Sequence, residues 1–277
     1  MPALWALIVA TLALVYVFDA DSFSRVQSEA WWSALYVSNW MRASGHSMEY
    51  LSHTWSLAME EQFYLLWPLL LYFLAARNGV KAVFFAALLL ALFSWGWRIV
   101  LAHHENTQWW RLYHGFDTRF DAPMWGCAFA AWAHGRRNVS VAVVCALRFL
   151  APVALLTLLC SAASSVFGLD SASFYSVGSV AVAWATLVLI ADIRYSPRSW
   201  LRAALEWRPL VGLGVISYGV YLWHLAVHVL LTHRHASASV DRAATLACAV
   251  PLALASFWLI ERPFLRMKTR FAAKVPE

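Results

Sequence analysis

Apolar residues fall in eight long blocks, at approximately 2–18, 56–76, 82–101, 122–134, 139–161, 174–191, 210–232 and 243–260, separated by short polar loops. Within the blocks the pattern is neither the two-residue alternation of a half-buried strand nor the one-sided stripe of a soluble helix. It is apolar all round, the pattern of helices that cross a hydrocarbon layer ~30 Å thick with about 20 residues each. The expected fold is therefore all-α: a polytopic membrane helix bundle with about eight transmembrane helices, forming a single domain over residues 1–277. The fourth block is short, which fits a tilted or partly re-entrant segment. The first lacks a basic n-region and a small-residue cleavage site, so it reads as an uncleaved span.

Composition agrees with that pattern. Of 277 residues 62% are hydrophobic and 13% charged, against roughly 25% charged in a soluble domain. A soluble chain of this length has no core large enough to hide eight such blocks, so lipid takes the core's place. The 17 Trp and 10 Tyr gather near block ends, where the headgroup zone suits their amphipathic rings. The formal charge of +6 does not point to nucleic acid, because no basic run is interleaved with aromatics. Cys127, Cys145, Cys160 and Cys248 sit singly in apolar blocks without a CxxC pair and read as small buried hydrophobes.

Loop charge sets an expected orientation. With the first block running outward, thirteen Lys and Arg fall in inner loops and the tail against six outside, which places both termini in the cytoplasm. Arg98 and Arg148 lie within blocks. The outer side then receives two substantial loops, 19–55 and 102–121, rich in His, Trp, Asp and Glu.

Polar residues inside the blocks are the candidates for chemistry, since each is costly in lipid unless paired, hydrated or used. His53, Ser56, Glu60 and Tyr64 fall on one side of a helix at ~100° per residue, with Glu61 beside Glu60. A carboxylate near an imidazole raises its basicity and fixes its tautomer, as activation of a hydroxyl requires. The alternative is a plain helix start, with Ser52 or Thr54 as N-cap and both glutamates favoured by the helix dipole. A second stripe, Ser217, Tyr221, His224 and His228, shares one face of the seventh block. It is open to three readings: a cavity lining, hydrogen-bonded packing between helices, or a metal or haem site, which would need further ligands from His103, His104 or His114. Arg119 and Asp121 stand where a loop enters the fourth block, and read alone they are a surface ion pair. At the end of the last block Glu261 has Arg262 or another inner-face arginine as expected partner, and Pro263 is expected to stop the helix.

Several stretches carry a family resemblance. His53-Thr54-Trp55-Ser56-Leu57, followed by Glu60-Glu61-Gln62-Phe63-Tyr64, resembles the H-T-W-S-L-x-x-E-E-Q-F-Y motif of acyltransferase family 3, bacterial integral-membrane O-acyltransferases of glycans and related acceptors. Asn39-Trp40, Thr118-Arg119-Phe120-Asp121 with Gly126, Ile216-Ser217-Tyr218 with Tyr221-Leu222-Trp223-His224, and Glu261-Arg262-Pro263-Phe264 resemble further segments of that family in the same order. The resemblance implies a ten-helix membrane fold. It also implies transfer of an acyl group, acetyl foremost, from cytoplasmic acyl-CoA to a hydroxyl of a cell-surface carbohydrate. It implies no bound cofactor and no metal; the partners are the bilayer of the bacterial inner membrane, the acyl-CoA donor and the carbohydrate acceptor.

The family's essential histidine lies in its first helix, and an R-x-x-R motif precedes its third. No R-x-x-R occurs before Leu4, eight blocks are two short of ten, and Pro2-Ala3-Leu4 resembles the segment just after the arginine motif. The expectation is a chain lacking the family's first two helices, with Met1 an internal methionine or the start of a truncated form. On the resemblance, the catalytic candidates are Glu60, Glu61 and His53, orienting the acceptor or supporting the missing base. Trp55 and Ser56 would contact substrate, Tyr218, Tyr221 and His224 would line the central cavity, and Arg119 with Asp121 would order the outer entrance. No Ser-His-Asp frame argues for an acyl-enzyme, which leaves direct attack of an activated hydroxyl on the thioester. The competing expectation is a catalytically inactive relative that scaffolds, transports or senses.

Overall fold

The computed structural model describes residues 2–104, 107–166, 178–196, 199–232 and 238–272. These are almost wholly helical, with no strand among the described residues. In chain order the helices are α1 (Pro2–Phe18), α2 (Phe23–Ala34), α3 (Ser38–Ala43), α4 (Thr54–Ala102), α5 (Trp109–His114), α6 (Phe116–Arg119), α7 (Asp121–Ala133), α8 (Val141–Val166), α9 (Ser179–Tyr195), α10 (Trp200–Leu205), α11 (Arg208–Thr232), α12 (Ala238–Ser256) and α13 (Arg262–Ala272). Four segments are long and apolar enough to cross a membrane: α4, Val141–Ala163 in α8, α11, and Ala243–Met267, which joins α12 to α13; α1 is a shorter apolar helix. The second and third blocks are the two halves of α4. They are separated at Gly79, whose φ of 70° and ψ of −175° break the helical path, a conformation glycine adopts without a Cβ penalty. The start of the sixth block, 174–177, and Arg198, Arg234 and Lys274 of the charge pattern lie outside the described residues.

The chain divides into two compact units. One comprises Met1–Met41, His46–Ala58 and Trp207–Glu277, and the other Arg42–Gly45 and Met59–Glu206. In the first, α1 buries Leu4, Leu7, Ile8, Thr11 and Val15 on one stripe and leaves Trp5, Val9, Tyr16 and Val17 exposed on the other. Both faces are apolar because one meets protein and the other lipid. Its core is shared with Leu222, Ala226 and Val229 of α11. Small residues bring α11 against α12: a Cβ on Gly219 would lie 3.1 Å from the Ala253 Cβ and 3.3 Å from its backbone. The segment 19–55 is not a plain loop. It folds into α2 and α3, and the buried carboxylate of Glu29 holds it by accepting the N–H groups of Glu49 (2.7 Å) and Leu51 (2.9 Å).

In the second unit both halves of α4 share one core cluster with α7, in which Trp67 from the first half meets Val83, Ala87 and Ala91 from the second, and Met124, Trp125 and Ala128 from α7. Ala151 and Ala154 of α8 pack with Ala185 and Leu189 of α9. Asp192 closes the turn after α9 by accepting from Ser196 Oγ and Ser199 Oγ, each at 2.5 Å.

Two expectations change here. Cys145, Cys160 and Cys248 are exposed, and Cys127 is partly so; a thiol in a spanning helix leaves water by facing lipid, without burial in protein. Pro263 does not end the helix. A π-helical turn over Phe257–Glu261 carries the chain from α12 into α13, and the helix runs on through Pro263. Glu261 accepts from Ser256 Oγ (3.4 Å), while Arg262 lies over the Trp258 ring, 3.9 Å from its centroid.

Candidate functional site

The polar groups of the first unit converge at the start of α4. His53 stands in a turn closed by the Ser56 N–H to His53 O bond, one residue before the helix begins. Tyr221 of α11 donates its hydroxyl to the His53 carbonyl at 2.6 Å. Its single proton is thereby used, so Ser56 Oγ, 2.5 Å away, is the donor to the phenolic oxygen. One turn along α11, His224 Nδ1 lies 2.6 Å from the Tyr221 carbonyl. Nδ1 therefore carries a proton and donates it to that carbonyl. The His53 ring meets Tyr221 and His224 edge-on, with centroids 5.4 and 5.5 Å apart.

His53 is 7% exposed, and neither ring nitrogen makes a hydrogen bond of normal geometry. Burial above all, then the neighbouring His224, outweighs the Leu222 backbone and pushes its pKa down to about 3. An imidazole kept neutral in this way is a hydrogen-bonding device, not a proton carrier near neutral pH. Tyr218 packs against the same core, and His228 Nδ1 lies 3.3 Å from Thr245 Oγ1 of α12. Four sequence candidates, His53, Ser56, Tyr221 and His224, thus form one cluster. Trp55 is half-buried beside it in the chain.

Glu60 and Glu61 belong to the second unit. Glu60 is exposed; Glu61 is half-buried, with Oε1 fully buried and without a hydrogen-bond partner. Thr54, the alternative N-cap, spends its hydroxyl on the Leu51 carbonyl (2.7 Å), Ser33 (2.8 Å) and Ser38 (3.2 Å).

Arg119 and Asp121 do not pair with each other. Asp121 takes a bidentate bond from Arg98 of α4, at 2.9 and 2.8 Å, with the two side chains 2% and 0% exposed, and Arg98 also donates to the Thr118 carbonyl. Arg119 lies over the Tyr113 ring, 5.0 Å from its centroid. Sequence neighbours are poor partners here because residues two apart on a helix start point apart, whereas α4 brings a fork-shaped donor directly onto the carboxylate.

Around this pair the segment before α7 is clasped to α4. Ser94 Oγ donates to the Asp117 carbonyl (2.7 Å), and Trp97 Nε1 (2.8 Å) and Arg111 (2.9 and 2.6 Å) donate to the Asp117 carboxylate. Burial raises the Asp117 pKa, but the Arg111 and Trp97 bonds outweigh it and hold the group below its usual value. Arg98 was the residue the apolar pattern passed over. The signal was present, since a cation deep in an apolar block requires a partner.

The fold and the site define an all-α polytopic membrane protein with a part-buried tyrosine–histidine cluster at the mouth of a spanning helix. The acyltransferase domain of acyltransferase family 3 matches residues 2–262, and the chain belongs to that family. YrhL of Bacillus subtilis (strain 168) is 33% identical over 247 residues, covering 84% of this chain and 38% of that protein. The O-acetyltransferase OatA of Staphylococcus aureus (strain NCTC 8325 / PS 47) is 31% identical over 244 residues, covering 83% and 39%. The peptidoglycan O-acetyltransferase OatA of Listeria monocytogenes (serovar 1/2a, strain ATCC BAA-679 / EGD-e) is 32% identical over 245 residues, covering 84% and 39%. The chain therefore spans about two fifths of the length of these relatives. No solved structure matches it.

Proposed function

We propose that this chain is the membrane-embedded part of an O-acyltransferase that moves an acetyl group from acyl-CoA to a hydroxyl of a cell-wall carbohydrate, peptidoglycan being the acceptor its relatives suggest. The chain sits in the bacterial inner membrane with both termini cytoplasmic. The observation that carries the reading is the cluster of His53, Ser56, Tyr221 and His224, built from the two family segments with the densest polar content. His224 accepts a hydrogen bond from the acceptor's hydroxyl through Nε2. Neutral His53 positions the sugar, and Trp55 and Tyr218 supply the flat apolar surface that carbohydrate faces pack on. In the chemical step the hydroxyl oxygen bonds to the thioester carbon, the C–S bond breaks, and the hydroxyl proton ends on the coenzyme thiol. On the motif they share with the family, Glu60 and Glu61 are the candidates for acid–base assistance, and Arg98 with Asp121 holds the segment in which Arg119 sits.

The test is ester-linked acetate released by mild alkali from the walls of a host lacking its own O-acetyltransferase, with the protein expressed from its full natural reading frame. Tyr221→Phe removes the bond to the His53 carbonyl and is expected to lower acetate at least 10-fold at equal membrane abundance, while Glu60→Gln lowers it by a factor in the 10²–10⁴ range typical of lost acid–base assistance, roughly. Absence of acetate from the unsubstituted protein overturns the reading. Unchanged acetate from Glu60→Gln removes Glu60 from the mechanism.

A further inference from the structure

A cavity of about 400 Å³ lies wholly within the second unit, walled by the second half of α4 and by α7, α8 and α9. Its lining is apolar and includes Trp125, Phe129 and Trp132 of α7, with Trp125 against Trp184 of α9. An apolar hollow in a membrane protein accepts a hydrocarbon chain, and two further features say what that chain is attached to.

The first is a buried donor without a partner. Tyr195 lines the cavity, is 8% exposed, and its hydroxyl makes no hydrogen bond. A phenol taken out of water in this way is stabilised by any acceptor an occupant brings. The second is a pair of cations at the same end. The Arg136 guanidinium lies 4.9 Å from the Trp132 ring centroid, and that of Arg194 lies 5.3 Å from the Tyr195 ring centroid. Arg136 donates to the Trp132 carbonyl, and Arg194 to the carbonyls of Ala133 (3.3 Å) and Arg136 (3.4 Å), so both gather where α7 ends. Each guanidinium has five N–H donors, and these bonds engage few of them. Both side chains are exposed, and neither pairs with a carboxylate among the described residues. Paired guanidiniums with donors to spare suit a phosphate.

We propose that this cavity binds one acyl chain of an anionic glycerophospholipid, with the phosphate between Arg136 and Arg194 and an ester carbonyl accepting from the Tyr195 hydroxyl. The unpartnered phenol favours an ester-linked lipid over a polyprenyl phosphate, which has the chain and the charge but no carbonyl.

Native mass spectrometry of the full chain in mild detergent, titrated separately with phosphatidylglycerol, phosphatidylcholine and a polyprenyl phosphate, tests this. Phosphatidylglycerol is expected to bind more tightly than phosphatidylcholine, by roughly five-fold for each arginine. The double substitution Arg136→Gln/Arg194→Gln removes that preference. Tyr195→Phe weakens both glycerolipids alike by about five-fold and leaves the preference intact. Ala128→Phe, which fills the cavity, abolishes retention of all three lipids; if that variant does not fold, the three rim substitutions carry the test. Equal binding of the two glycerolipids by the unsubstituted protein, or a preference surviving the double substitution, overturns the site. Tighter binding of the polyprenyl phosphate overturns the choice of lipid.

Discussion

The Arg98–Asp121 pair invites a direct measurement, because both partners are sealed from solvent and joined by two hydrogen bonds at 2.9 and 2.8 Å. Asp121→Asn keeps the size and one acceptor but deletes the charge, leaving a buried guanidinium that still donates to the Thr118 carbonyl but has lost its carboxylate. At an effective dielectric near 20, two unit charges ~4 Å apart attract by about 4 kcal/mol. Removing one partner of such pairs costs about 3–5 kcal/mol, because the other charge stays buried. The pair as a whole is worth far less, since its attraction is spent on desolvating both ions. Asp121→Asn and Arg98→Met should therefore each cost about 3–5 kcal/mol, while Arg98→Met/Asp121→Leu should fall within about 1 kcal/mol of the parent or above it. The assay is unfolding in mixed micelles by titration with a denaturing detergent, followed by tryptophan fluorescence and completed as a double-mutant cycle. A cost under about 1 kcal/mol for Asp121→Asn, or a double variant that loses the sum of the singles, would falsify the reasoning.

Two further outcomes follow from the same geometry. His114 is buried, its Nε2 accepting from Arg42 Nε (3.3 Å) and its Nδ1–H donating to the Trp110 carbonyl (2.9 Å). Burial first, then the charges of Arg42 and Arg119, outweighs the Trp110 bond and lowers its pKa from 6.5 to about 4. The unfolded chain then binds the extra proton between those values, so stability is complete above pH 6.5 and falls as the pH drops toward 4, by up to about 3 kcal/mol. His114→Gln should flatten that fall in unfolding midpoints taken from pH 7 to pH 4.5; a slope unchanged by the substitution refutes the assignment. At the α11–α12 crossing, Gly219→Val would drive its side chain into Ala253, part of the contact being backbone that cannot yield. A cost of about 1–3 kcal/mol is expected in the same unfolding assay, and a neutral result would show that the helices separate freely.

The long apolar segments of α4, α8, α11 and Ala243–Met267 were legible in the sequence because hydrocarbon thickness imposes a length and water imposes a composition, and both are properties of short windows. The break at Gly79 was legible too, since Arg77 and Lys81 interrupt the apolar run around it. The convergence of Tyr221 and His224 on His53 was foreshadowed only as a face of one helix; what that face meets is decided by the packing of α11, which no local window holds. The partner of Asp121 was misplaced for the same reason. Arg119 is close in the chain, but the geometry that satisfies a carboxylate lies 23 residues back, on another helix. The thiols were misjudged by a rule carried over from soluble proteins, in which leaving water and entering protein are one event.

The 23-residue separation also fixes an order in time. Arg98 is synthesised first, and at roughly 5–20 residues per second its counter-ion follows about one to five seconds later. Almost everything made in that interval belongs to the polar segment 102–120, not to another apolar span. The cation's solitary period therefore ends before α8 leaves the ribosome. A helix that would be costly to insert alone is relieved by the next stretch of chain to be born.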